Sequence, residues 1–92
     1  MELQETSEND FIVGYDPIMQ SATDALMSLS EVGKIYNKAE GDLIPNAVSV
    51  ANIIVENFLK NNSKIERITL DSEISTTDGK MTSNIEIILL KN

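Results

Sequence analysis

The sequence predicts a two-layer α/β (α+β) domain of order β-α-β-α-β-β, with two helices covering one face of a four-stranded mixed sheet. Three observations lead there. Short apolar runs alternate with two segments whose apolar residues recur at helical spacing. The last third of the chain carries two period-2 segments. Between those two lies Asp78-Gly79, a strong short-range hairpin signal.

The elements follow in order. Met1 to Asn9 is polar, with Glu2, Glu5 and Glu8 spread along it, so residues 1–10 read as a disordered acidic tail and residues 11–92 as the domain. Phe11–Val13 is the first strand. Asp16-Pro17 opens the first helix, with Asp16 placed to cap free N–H groups and Pro17 suited to the first helical position. Ile18, Ala22, Ala25, Leu26 and Leu29 then form one face, and Gly33 ends the helix. In Lys34–Glu40, a second strand, Ile35, Asn37 and Ala39 share one face and Tyr36, Lys38 and Glu40 the other.

The second helix is read from Ile44 to Leu59, with Pro45 in its first turn. It carries two apolar stripes. One is Ile44, Val48, Ala51, Val55 and Leu59; the other is Ala47, Val50, Ile54 and Phe58. A helix lying on a sheet needs one stripe, so the second predicts cover from the first helix or from a partner chain. Ile65–Ile74 sets Ile68, Leu70 and Ile74 against Arg67, Thr69, Asp71 and Glu73; residues 76–80 form the hairpin tip. In the last strand, Asn84–Leu90, Ile85, Ile87 and Leu89 line one face, while Ile88 and Leu90 make the other apolar as well. A strand apolar on two faces predicts an interface.

Composition narrows the chemistry. The 92 residues contain no cysteine and no histidine, which removes thiolate chemistry, cysteine zinc sites and the commonest general base. No nucleophile elbow or Gly-rich phosphate loop is present, so no enzyme activity, cofactor or metal is expected. No 18-residue apolar window exists, and no membrane span is expected. The acidic start is unlike a secretory leader, so the expected location is cytoplasmic. Fifteen acids against seven bases leave a net charge of −8, which a dimer doubles. Phosphate binding requires a local basic patch on such a chain.

Four segments in order resemble the archaeal Alba proteins, small dimeric proteins that coat DNA and also bind RNA. They are IVGYDPIMQSATDAL, KAEGDLIPNAVSVA, VENFLKNNSKIERITLDSE and the closing SNIEIILLKN. The resemblance implies an Alba-like fold and a homodimer. It places Tyr15, Asp16, Lys38, Glu40, Asp42, Asn46 and Lys80 where the family faces nucleic acid. It also implies that Phe58 faces a neighbouring dimer; a core aromatic at the helix end is the other reading of that residue. The two-sided apolar patterns, taken with the resemblance, put Ile54, Phe58, Ile88 and Leu90 at a dimer or dimer–dimer interface.

This sequence departs from the family at the positions that matter most. Where the family carries two lysines in the G-x-x-P segment, this chain has Tyr15 and Asp16. The usual K-A-R-G-R loop reads Lys38-Ala39-Glu40-Gly41-Asp42, and a usual lysine is Asn46. Lys38 and Lys80 are the surviving cations. An acid in place of an arginine loses a contact and adds repulsion against phosphate. The expectation is a nucleic-acid-binding fold with weak or absent binding, acting as a dimeric interaction protein. A weak or selective binder, paired with a basic Alba paralogue, is the alternative. Two further readings are bland by comparison. Asp16, Glu40 and Asp42 are solvated surface acids rather than a magnesium cluster, and Met19, Met27 and Met81 fill gaps in the core.

Overall fold

The structure, a computed structural model, describes residues 9–92. It is the two-layer architecture: β1 (Asp10–Ile12), α1 (Ile18–Val32), β2 (Lys34–Glu40), α2 (Ile44–Ile53), β3 (Ser63–Ile74) and β4 (Met81–Lys91). The sheet order is β1-β2-β4-β3. β1 runs parallel to β2, while β4 is antiparallel to both β2 and β3. The core lies between the sheet and the helices. Ala22, Ala25 and Leu29 of α1 and Ala47, Val50, Ala51 and Ile54 meet Ile35, Ala39, Ile85, Ile87 and Leu89 of the sheet.

Helix α1 begins later than Asp16 suggests. Pro17 stands at the cap position with non-helical backbone (φ −53°, ψ 142°), and no side chain caps the helix. Its carbonyl takes the first helical bond, from Ser21 N–H at 3.0 Å. Asp16 is therefore outside the helix, and its capping role is not realised. At the other end Gly33 takes the left-handed conformation, φ 83°, and donates its N–H to the Leu29 carbonyl at 2.7 Å. In β2 the buried face is Ile35, Asn37 and Ala39. Asn37 donates from Nδ2 to the Ala47 carbonyl at 2.9 Å, tying β2 to α2.

The second helix changes form before its end. After Ile53 the chain makes one π turn, Ile54–Phe58, closed by Leu59 N–H on the Ile54 carbonyl at 2.8 Å. A bond five residues long brings Leu59, not Phe58, back over the Ile54 side. Leu59 packs against the core. Phe58 is rotated out, 36% exposed, so it is not a core aromatic.

Strand β3 contains a bulge: Ile65 pairs with Leu89 but Arg67 pairs with Ile88, leaving Glu66 extra. The extra residue shifts the alternation, so Ile65, Ile68, Leu70 and Ile74 all face the helix side. β3 is an edge strand beyond the reach of α1, and Ile68, Leu70, Ile74 and Met81 stay exposed. Met19 and Met27 are exposed on α1 as well. The gap-filling reading of the three methionines is thereby corrected. The first strand starts at Asp10, which removes that residue from the tail; the rest of the tail expectation lies outside the described residues apart from Asn9.

Candidate nucleic-acid interface

Strand direction gathers the loops at one end. β1 and β2 are parallel, so the loop after β1 and the 3-10 turn after β2, Gly41–Leu43, leave the sheet side by side. Tyr15 in the first loop donates its hydroxyl to Asp42 Oδ1 at 3.3 Å. β3 runs in the same direction as β2, both being antiparallel to β4, so the hairpin leaves from this end too. β2 stops at Glu40, opposite Asn84, while β3 and β4 continue together to Ile74 and Met81. Tyr15, Asp16, Glu40, Asp42 and the hairpin thus share one end of the molecule. Asn46 joins them in the first turn of α2, half-buried.

The charges at this end are almost all negative. Lys38 lies on the sheet face away from the helices and is held by two acids, with Nζ 3.1 Å from Asp10 Oδ2 and 3.8 Å from Glu86 Oε2. The Asp10 side chain is only 9% exposed, so this partner is not easily set aside. A cleft of about 600 Å3 opens here, bordered by Lys38 and by Asp10, Glu40, Asp71 and Glu86. Lys80 stands at the hairpin tip. Its backbone N–H donates to Asp78 Oδ1 at 3.0 Å, and its carbonyl accepts from Ser75 N–H at 2.7 Å. That Lys80 amide, seconded by the Ser75 side chain, holds the Asp78 carboxyl below its ordinary 3.8. Asp78 is therefore an anion beside the tip's cation throughout the neutral range. Among the described residues no three acidic side chains converge as a metal site.

The sequence profile of the Alba family matches residues 9–72, well over half of the chain. The chain belongs to the Alba family. Alba from Thermoplasma volcanium is similar in structure, with a TM-score of 0.77 and 34% sequence identity; the match covers 90% of this chain and 100% of that one. ALBA1 from Trypanosoma brucei shares the fold, with a TM-score of 0.71 at 24% identity, over 95% of this chain and 72% of that one. The nucleic-acid-binding fold of a family of binding proteins is thus present.

In this Alba chain the apolar residues singled out from the sequence do not gather on one surface. Ile54 is fully covered within the subunit and offers no contact. Ile88 is 9% exposed on the outer sheet face, flanked across the strands by Tyr36 and Arg67, so its burial needs no partner. Leu90 lies half-buried on the same face. Phe58 is at the surface on the helix side. On the helix side of the hairpin strands Ile68, Leu70, Ile74 and Met81 are open, as are Val48 and Phe58 on the second helical segment; Ile12, Met19, Met27 and Val32 are exposed elsewhere. The sequence places Ile68, Leu70 and Ile74 on one face. That nothing covers that face follows only from the strand order.

Proposed function

We propose that this Alba protein is a two-fold dimer that has lost the family's own grip on duplex nucleic acid and works as a structural or interaction protein. The observation that carries this is the state of Lys38. A cation meant for phosphate is here closed into an ion-pair cluster with Asp10 and Glu86. Around it Glu40 and Asp42 are exposed acids, and Asp16 stands exposed in the neighbouring loop. A phosphate approaching this end meets like charge and would have to displace two carboxylates from Lys38.

The apolar stripe supports the dimer. Ile68, Leu70, Ile74, Met81, Val48 and Phe58 carry no charge, so two copies of a chain at −8 meet there without apposing their acids. The same stripe would accept the matching surface of a basic Alba subunit, which would dilute the acidic end. Mixing the chain with a basic Alba protein and recovering homodimers alone removes that second reading.

A titration against duplex DNA at about 20 mM salt, where non-specific binding is strongest, tests the main reading. No saturable binding is expected up to about 100 µM protein, the weak end of ordinary non-specific affinity. Tighter binding that is abolished by Lys38→Glu or Lys80→Glu would overturn it.

A further inference from the structure

The basic residues of this chain are not scattered. Five of its seven, Lys34, Lys60, Lys64, Arg67 and Lys91, lie at the end of the sheet opposite the loops and the hairpin. The register fixes three of them on the outer face. Lys34 on β2 and Lys64 on β3 flank Leu90 of β4 in one row. In the next row Tyr36 and Arg67 flank Ile88. Flanking strands two apart put Lys34 and Lys64 about 10 Å from one another. Lys60 and Lys91 stand exposed at the rim, Lys91 tied to Gly33 by an N–H to carbonyl bond of 2.9 Å.

The patch also has a flat aromatic. Tyr36 projects from the middle of the sheet, with the Lys34 ammonium 5.5 Å from its ring centroid. Two acids border these groups: Glu66, 3.7 Å from Lys34 in a half-exposed, weak pair, and Asp10, which stands across from Tyr36 on β1 and is paired with Lys38 at 3.1 Å. Glu31 and Glu56 belong to the helical layer on the other side of the sheet. No ion pair engages Lys64 or Arg67 among the described residues. The apolar stripe proposed for pairing is on the helix side, so the outer face stays open in the dimer.

We propose that this outer sheet face binds single-stranded nucleic acid, with a base stacked on Tyr36 and phosphates on Lys34, Lys64 and Arg67. Aromatics set among cations on a sheet suit a single strand, because every base has a face to stack and the flexible backbone can follow the lysines. A rod laid along the strands, over a molecule 44 Å in its longest extent, runs on over the acidic end. A single strand can bend, so its nucleotides beyond the patch turn away from those acids into solvent. This site lies apart from the loop face and stands whether or not that face binds duplex.

Titration of the full chain with labelled single strands of about six nucleotides, RNA and DNA, at about 20 mM salt tests the inference. Saturable binding is expected, with a log–log salt slope of about −2 from three phosphate contacts. Arg67→Glu and Lys64→Glu should each weaken it about tenfold or more. Tyr36→Leu should weaken it while leaving the salt slope unchanged. Lys80→Glu should change nothing. Circular dichroism and sedimentation confirm that each variant keeps its fold and mass. Absence of single-strand binding by the parent chain overturns this inference alone, since the loop-face reading is judged on duplex. Binding lost with Lys80→Glu and kept in Arg67→Glu overturns this inference and assigns the single strand to the loop face. If Arg67→Glu alters only salt-sensitive self-association, the patch takes the acidic end of another copy, and the inference falls.

Discussion

Replacing Asp16, Glu40 and Asp42 together by Lys, Arg and Arg is expected to create duplex DNA binding in the low micromolar range at about 20 mM salt, where the proposed function expects none from the parent chain. All three are exposed at the end from which the hairpin also leaves, so none has a buried partner to lose. The one contact given up is the 3.3 Å bond from Tyr15 to Asp42, on the surface. Each exchange removes a repulsion and adds an attraction. In a two-fold dimer three exchanges supply six new phosphate contacts, for a salt slope of about −5 at roughly −0.9 per contact. A monomer would show about half that slope. The matching control is Asp24→Lys with Glu31→Lys on exposed positions of α1, which changes net charge without touching the loop face. If the control gains as much affinity per charge as the loop exchanges, overall charge and not the loop face governs binding. The proposed function would then need another basis.

Leu70→Glu is expected to split the proposed dimer. Leu70 is 67% exposed in the subunit and sits mid-stripe between Ile68 and Ile74, so a glutamate there is harmless to the isolated fold. In a two-fold contact the same carboxylate enters twice and is driven from water without a partner. An increase of more than about 100-fold in dimer dissociation constant follows, equal to roughly 3 kcal/mol. Analytical ultracentrifugation over a dilution series should find a monomer at concentrations where the parent chain is dimeric, with unchanged circular dichroism. Ile54→Ala gives the contrasting result. Ile54 is wholly enclosed by its own subunit, so its truncation lowers unfolding free energy by about 2–5 kcal/mol and leaves association of the folded chain intact. A Leu70→Glu protein that sediments like the parent would place the partner surface elsewhere.

These two experiments fall on either side of what was legible in the sequence. Apolar patterning identifies the four strands and the two α-helices, because each pattern records which side of its own backbone must leave water. Alternation alone puts Ile35, Asn37 and Ala39 of β2 on one face, and the structure makes that face the buried one. The limits of elements were less legible. Asp16 has the right chemistry for a cap, but Pro17 takes the cap position, since proline's fixed φ fits there as well as one residue later. The π turn was invisible, because apolar residues at Ile54, Phe58 and Leu59 satisfy an α-helical pattern and a π pattern equally.

The candidate site divides in the same way. That Glu40 and Asp42 bracket Gly41 is a property of the chain order, and so is the scarcity of bases around them. That Lys38 is neutralised is not. Asp10 and Glu86 come from the far ends of the chain, and only the pairing of β2 with β1 and β4 sets them beside Lys38.

By itself, then, the sequence determined the composition of each surface: which residues alternate inward, which loops are acidic, which chemistry is missing. Those are local properties, fixed by residue type and backbone period. The tertiary structure alone decided which surfaces exist. Strand order put β3 at the edge and left its apolar stripe open. Strand direction sent the acids to one end of the sheet and collected Lys34, Lys64 and Arg67 at the other. The reason is physical: a charge or an apolar side chain acts on its neighbours in space, and a one-dimensional pattern leaves those neighbours unassigned until the sheet is laid out.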